Sequence, residues 1–169
     1  MVMKSIRDQV PFKELSVEDQ KLLKAARKTM EKAYSPYFNF LVGAAVLVNG
    51  GEPITGTNFE TAAGDSTCAE RAALLGANTK GYGGRCRAIA IVGRNRDSPT
   101  TEITPPCGSC RQMIYEVAQR SGVDENFKII MSTTNFDKIV VTTIGELLPL
   151  AFGPKDLGLG AEKLDPAPA

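Results

Sequence analysis

Apolar and polar residues alternate along the chain with periods that change from helix to strand. Apolar side chains recur at helical spacing from Leu22 to Ala33, after a Ser16 cap with an acidic residue in the first turn, which predicts a helix over 17–33. Two β-rich runs flank Asn49-Gly50-Gly51 and predict a hairpin with strands at 41–48 and 53–58. The continuous apolar run 88–92 is typical of a central strand.

The remaining patterns complete an α-β-β-α-β-α-β-β-α order. Further predicted elements are a helix over 68–79 capped by Ser66 or Thr67, a helix from Gly108, strands at 127–132 and 139–142, and a short helix at 143–148 with Glu146 closing a capping box. This order predicts an α/β fold, a three-layer α-β-α sandwich with helices on both faces of one sheet. We expect a single domain over 1–157 and a loose, glycine- and proline-rich tail over 158–169.

Composition narrows the class of protein. The chain has 169 residues, 43% hydrophobic and 23% charged, with a net charge of +1. Near-neutral, interspersed charge argues against a nucleic-acid partner. No apolar run is long enough to span a bilayer, so we expect no membrane association. The segment Met1–Ser5 has no apolar signal core, and we expect a cytoplasmic protein.

Cysteine and histidine usage points to a metal. The chain has four cysteines and no histidine. In a reducing compartment, Cys107-Gly108-Ser109-Cys110 and the separate Cys68-Ala69-Glu70 favour a metal site over disulfides. Three thiolates leave the fourth position of a Zn²⁺ ion open to water, and Glu70 is placed to move protons of that water. Arg71 and Arg111 are candidates for offsetting the surplus negative charge.

Each feature has a plainer interpretation. A single Cys-x-x-Cys is as often structural or redox-active as catalytic, and Cys68 alone is typical of a small core residue. Glu70 alone is typical of a solvated acid in the first turn of a helix. A closed four-thiol zinc site that includes Cys86 and a redox dithiol also remain open. The combination of three thiols with one carboxylate favours a catalytic zinc over these alternatives, with Cys86 as a packing residue.

With these motifs the chain resembles the cytidine deaminase family, specifically the homotetrameric zinc enzymes that act on free nucleosides. The matching segments span about 15–157 and are Ser35–Tyr37, Phe40–Ala45, Asn58–Glu60, Cys68–Arg71, Pro106–Gln112, Glu146–Pro149 and Phe152–Leu157. The resemblance implies a cytidine deaminase-like fold with one mixed five-stranded sheet and a Zn²⁺ cofactor. It also implies hydrolytic deamination of cytidine and deoxycytidine to uridine and deoxyuridine in pyrimidine salvage.

The resemblance also assigns roles to individual residues. It implies that Cys68, Cys107 and Cys110 bind zinc and that Glu70 shuttles protons. Substrate-binding residues by the same resemblance are Phe40 against the ring, Asn58 and Glu60 at the ribose 3′-hydroxyl, Ala69, and Phe152 from a neighbouring subunit. For the aromatic residues ordinary core packing remains open, and for Asn58 and Glu60 a turn role does.

Departures from the family pattern keep other functions open. Thr61 replaces a usual Asn, Gly64 and Asp65 replace bulkier residues, Leu41 replaces a common proline, and the loop before Cys68 is shorter than usual. A second hypothesis is therefore a deaminase of a modified cytosine nucleoside such as blasticidin S. A third hypothesis, from another class, is a non-catalytic zinc-stabilised scaffold protein.

Overall fold

A mixed sheet of five strands forms the middle layer of the molecule. The computed structural model describes residues 9–98 and 100–164. The strands are β1 (Phe40–Val48), β2 (Ile54–Thr57), β3 (Cys86–Asn95), β4 (Lys128–Ser132) and β5 (Ile139–Thr143). The helices are α1 (Val17–Met30), α2 (Ala69–Thr79), α3 (Gly108–Arg120), α4 (Ile144–Leu147) and α5 (Ala161–Leu164). The predicted order of elements and the five-stranded mixed sheet are confirmed.

Strand order in the sheet is β2-β1-β3-β4-β5. β1 pairs antiparallel with both β2 and β3, β3 pairs parallel with β4, and β4 pairs antiparallel with β5. The parallel pair needs a crossover, and α3 lies between these two strands in the chain. The crossover brings the start of α3 to the same side of the sheet as α2.

Alternate residues of β1 separate the core into two layers. Ala44 and Val46 join the cluster that packs against α2 and α3, while Ala45 and Leu47 join the cluster that packs against α1. This period of two is the ordinary consequence of strand geometry, and it places helices on both faces of the sheet. The three-layer sandwich is confirmed.

Two glycines allow the helices to lie close to the sheet. A Cβ at Gly43 would lie 2.1 Å from the Ala26 carbonyl oxygen of α1. A Cβ at Gly56 would lie 2.4 Å from the Ala73 nitrogen and 2.6 Å from the Ala69 oxygen of α2. Only glycine leaves room for these backbone contacts, so β2 fixes the position of the first turns of α2.

Several predicted boundaries were wrong. α1 ends at Met30 rather than at 33, because Tyr34 leaves the helix and bonds through its N–H to the Asn58 carbonyl. Cys68, with an extended backbone, is the N-cap of α2 instead of Ser66 or Thr67. β3 continues past residue 92, since Gly93–Asn95 pair with the start of β1. The predicted capping box of Thr143 and Glu146 is confirmed.

Both chain ends lie partly outside the described residues. The expectation for Met1–Ser5 falls wholly outside them, and so does the part of the predicted tail beyond 164. Pro154–Leu157 form a 3-10 turn and Ala161–Leu164 a single helical turn. A loose tail over 158–169 therefore stays a prediction. In the described part of the chain, none of the helices has the length and apolar character to cross a bilayer.

Candidate active site

Two helix N-termini bring the predicted thiols together. Cys68 is the N-cap of α2 and Cys107 is the N-cap of α3, one turn before Cys110. The sulfur atoms of the three cysteines lie within 4.8 Å of one another, and the Cys68 and Cys107 sulfurs are 4.0 Å apart. The Cys110 N–H also donates to the Cys107 sulfur at 3.4 Å.

The geometry of these sulfurs fits a tetrahedral zinc site. A Zn–S bond of about 2.3 Å places two tetrahedral thiolate ligands about 3.8 Å apart. The 4.0 Å separation of Cys68 and Cys107 lies close to that value. Cys86 lies outside this group of thiols, and its thiol donates to the Tyr82 carbonyl oxygen at 3.3 Å at the start of β3. The set therefore offers three ligands and leaves one position for a water or substrate oxygen.

Burial opposes ionisation of all three thiols, and it prevails at two of them. Burial raises the pKa of Cys68 and that of Cys110, which is fully buried. The same effect acts on Cys107, but the Cys110 N–H and the neighbouring thiols outweigh it and lower the pKa of Cys107. Helix N-termini commonly lower the pKa of a thiol, and among these cysteines such a lowering is seen only at Cys107. A cation bound among these thiols would offset the cost of ionising them, because it compensates the thiolate charge.

Glu70 lies in the first turn of α2 and is 5% exposed. Its burial raises the pKa of the carboxyl group, a common setting for a residue that both accepts and donates protons near neutral pH. Arg71 follows it and donates to the Ser109 hydroxyl at 2.8 Å, which ties α2 to the first turn of α3. Arg111 instead bonds the carbonyls of Pro106 and Leu147.

A pocket of about 270 Å³ opens beside the thiols. Cys68, Cys107 and Glu70 are among the residues that line it. Predicted substrate residues that also line it are Phe40, Asn58, Glu60 and Ala69. The structure thus brings together residues from β1, from the segment after β2 and from the N-termini of α2 and α3.

Asn58 and Glu60 are both held by backbone groups. The Asn58 side chain accepts from the Val42 N–H at 2.8 Å and donates to the Phe40 carbonyl at 2.9 Å. The Glu60 carboxylate accepts from the Ser35 hydroxyl, and from the backbone N–H groups of Tyr37 at 2.8 Å and Phe38 at 3.2 Å. Burial opposes ionisation of Glu60, but these donors prevail and lower its pKa.

Phe152 lies apart from this pocket within the chain. Its side chain is 65% exposed and it is absent from the residues that line the pocket. Its carbonyl accepts from the Gln112 side chain of α3 at 2.8 Å. The role assigned to Phe152 by resemblance needs a second subunit, and it stays a prediction.

Sequence reasoning missed several residues of the pocket wall. Val42 lies two residues after Phe40 in β1, so the strand period would have placed both on one face. Phe38 lies in the turn before β1, where no period applies. The other unpredicted lining residues are Ser66, Thr67, Thr104 and Pro105. By contrast, residues 61–65, where the sequence departs from the family, do not line this pocket in the described chain.

Comparisons with known proteins agree with this site. The cytidine and deoxycytidylate deaminase zinc-binding region matches residues 16–123, a stretch that contains all three thiols. A cytidine deaminase of Halalkalibacterium halodurans is 38% identical over 142 residues, which cover 83% of this chain and 98% of that protein. A cytidine deaminase of Mycobacterium tuberculosis is 35% identical over 126 residues, covering 74% of this chain and 82% of that one.

Solved structures give the same result for the fold. The crystal structure of cytidine deaminase from Burkholderia pseudomallei superposes with a TM-score of 0.69 at 38% identity, covering 82% of this chain and 100% of that chain. A mutant cytidine deaminase from Mycobacterium tuberculosis gives a TM-score of 0.66 at 31% identity, with coverage of 83% and 99%. The matched region is the zinc-binding region of its family, and zinc is the metal that suits the three thiols. The chain belongs to the cytidine and deoxycytidylate deaminase family.

Proposed function

We propose that this protein catalyses the zinc-dependent hydrolytic deamination of cytidine and deoxycytidine to uridine and deoxyuridine. One observation carries the proposal. The buried Glu70 and two of the three clustered thiols, those of Cys68 and Cys107, line a pocket whose other walls hold Phe40, Asn58 and Glu60. The relatives named cytidine deaminase support it. The reaction returns cytosine nucleosides to the uridine pool, and we propose pyrimidine salvage as its setting.

The thiolates and Glu70 have different roles in the proposed reaction. The thiolates of Cys68, Cys107 and Cys110 would hold Zn²⁺, which would lower the pKa of a water and so supply a nucleophile at neutral pH. The water oxygen adds to C4 of the pyrimidine and the C4–N bond breaks, so one water is consumed for each ammonia released. Glu70 carries the two protons of the water in turn, one to N3 of the ring and one to the departing amino nitrogen, a role that suits its raised pKa.

The pocket walls provide binding and orientation. Phe40 and Phe38 offer aromatic surface, and Ala69 at the first helical position leaves room beside the metal site. Glu60 and Asn58 supply acceptors and a donor for a sugar hydroxyl, alongside their bonds to the backbone. A volume of about 270 Å³ is near the lower end for ligand pockets and suits a compact nucleoside.

A cytidine turnover assay on zinc-loaded protein tests the proposal. We expect the absorbance of cytidine to fall with time as one ammonia is released per uridine formed. Metal analysis of the same sample should give one zinc per chain. Fully zinc-loaded protein that converts neither cytidine nor deoxycytidine would refute the proposed activity.

A modified cytosine nucleoside remains the second candidate substrate. The altered residues Thr61, Gly64 and Asp65 favoured it in the sequence, but this loop bonds mainly to itself through the Thr61 hydroxyl and the Asp65 backbone. Since 61–65 do not line the pocket, cytidine is the better supported substrate. Parallel assays with cytidine and blasticidin S separate the two; a preference for blasticidin S would reverse the order.

A non-catalytic scaffold has less support. That hypothesis expected Cys86 to close the metal site, whereas the Cys86 thiol bonds to Tyr82 in the core. X-ray absorption that shows three sulfur ligands and one light ligand would reject the scaffold; four sulfur ligands would favour it.

We further propose a cytoplasmic homotetramer. The four cysteines are free, as expected in a reducing compartment. Phe152 and Leu150 carry large apolar side chains that are 65% and 105% exposed, which suits burial against another subunit. The partners proposed are therefore a nucleoside and further copies of the chain, with neither nucleic acid nor membrane among them.

A further inference from the structure

A buried serine hydroxyl links two groups of the pocket wall. Ser35 is 0% exposed and lies in the loop between α1 and β1. Its hydroxyl donates to Glu60 Oε1 and accepts from the Phe40 N–H at 3.2 Å. Glu60 and Phe40 both line the pocket, whereas Ser35 does not. One side chain therefore orients a carboxylate and an aromatic residue from behind the wall.

The second oxygen of the carboxylate is held differently. Glu60 Oε2 accepts from the N–H groups of Tyr37 and Phe38, at 2.8 Å and 3.2 Å. A carboxylate has about four acceptor positions, so three donors leave roughly one for a ligand hydroxyl. The Ser35 hydroxyl is the side-chain donor that reaches Oε1 in this cluster. Without it, Oε1 would be buried with fewer donors, and the carboxylate could rotate away from the position seen here.

We propose that Ser35 is a positioning residue for nucleoside binding, acting through the Glu60 carboxylate and the backbone of Phe40. The inference rests on the proposed function, because it takes the sugar hydroxyl as the ligand of Glu60. Ser35 touches neither the thiols nor Glu70 in the described contacts. Its loss should therefore weaken the binding of substrate and transition state alike, which raises KM and leaves kcat unchanged.

The test compares zinc-loaded wild type, Ser35→Ala, Glu60→Gln and the double variant. Cytidine kinetics give KM and kcat, and calorimetric titration with uridine gives Kd without turnover. We expect Ser35→Ala to raise KM and the uridine Kd about tenfold, since a hydrogen bond to a charged group is lost, with kcat within about twofold. The effects of the two changes should be less than additive in the double variant, because both act on the hydrogen bond between Ser35 and Glu60.

Two further variants serve as controls. Ser121→Ala removes another buried serine, whose oxygen accepts from the Cys86 N–H at 3.1 Å outside the pocket. It should leave KM and the uridine Kd unchanged. Ser35→Cys keeps the side-chain size with a weaker donor, and it should raise both constants even if Ser35→Ala fails to fold.

The outcomes distinguish this inference from the proposed function. An unchanged KM in Ser35→Ala and Ser35→Cys, or a fall in kcat alone, overturns the positioning role while wild-type turnover upholds the activity. Fully additive effects in the double variant overturn action through Glu60. If wild type binds uridine more tightly than Ser35→Ala but does not turn over cytidine, the activity fails and the positioning role stands. Absence of both uridine binding and cytidine turnover in the wild type overturns both.

Discussion

At the scale of single residues, the buried carboxyl of Glu70 is the group expected to carry protons. We expect Glu70→Gln to keep one zinc per chain and to lower kcat for cytidine by about 10²–10⁴-fold, the usual contribution of general acid–base catalysis. Steady-state assays with metal analysis on the same samples measure this. Glu116→Gln, a change at an exposed acid on α3, is the matched control and should leave the rate intact. A Glu70→Gln enzyme with near-normal kcat would remove Glu70 from the mechanism.

The cysteines also differ from one another at this scale. Cys110 is fully buried beside the other two thiols, whereas burial raises the pKa of Cys86 to about 11 and its thiol bonds to Tyr82. We expect Cys110→Ala to lose most of its bound zinc and Cys86→Ala to retain one zinc per chain. Elemental analysis after dialysis against a weak chelator measures both. Loss of zinc from Cys86→Ala would instead favour the hypothesis that four thiols, including that of Cys86, bind the metal.

At the scale of elements, the contact of β2 with α2 sets the position of the metal ligands. A Cβ at Gly56 meets the α2 backbone, but one at Gly76 meets only the Ile54 side chain, at 3.3 Å. We expect Gly56→Ala to lower the free energy of unfolding by about 1–3 kcal/mol or more. Gly76→Ala in α2 should be close to neutral, because alanine favours the helix. Urea unfolding of the zinc-loaded proteins compares the stabilities of the two variants. Equal stabilities of Gly56→Ala and Gly76→Ala would contradict the packing argument.

The loop of Ser35–Phe40 is a second element, and its stability depends on the carboxylate of Glu60, which is distant in sequence but bonded to the loop. The pKa of Glu60 is lowered from 4.5, so its ionised form stabilises the fold at neutral pH. That contribution is complete above about pH 4.5 and is lost as pH falls through the lowered pKa. We expect Glu60→Gln to be less stable than wild type at pH 7, with the difference shrinking below pH 4.5. Thermal unfolding at a series of pH values measures this difference in stability, with Glu116→Gln as the control. A stability difference that does not change with pH would contradict the role of the ionised Glu60.

Local sequence pattern accounts for some elements and not for others. Cys68, Glu70, Cys107 and Cys110 were identifiable because each lies within three residues of another member of the motif, at a helix start. The hydrogen bond from Ser35 to Glu60 was not identifiable from the sequence, since 25 residues separate the two partners. Likewise the polar end of β3 resembled a loop, and only its pairing with β1 makes it a strand. Non-local hydrogen bonds are the part that residue spacing does not show.

At the scale of the whole molecule, the exposed side chain of Phe152 suggests an interface, because a single chain does not bury it. The segment that carries it is fixed to α3, because the Phe152 carbonyl accepts from Gln112 and the Lys155 N–H donates to Gln119. Phe152 is 65% exposed on a backbone held in this way, which suits contact with another subunit. We expect the zinc-loaded protein to sediment as a tetramer, and Phe152→Ala to raise KM for cytidine.

Mixing two defective variants tests whether that ring completes a neighbouring pocket. Glu70→Gln subunits keep Phe152, and Phe152→Ala subunits keep Glu70, so mixed tetramers should contain some sites with both groups. We expect a mixture that is unfolded and refolded together to show more activity at low cytidine than the sum of the separately refolded variants. Leu157→Ala, a change at another exposed apolar residue, replaces Phe152→Ala in the control mixture, which should show no such gain. Strictly additive activity in both mixtures would place Phe152 outside the catalytic pockets, because each site would then depend on its own chain alone.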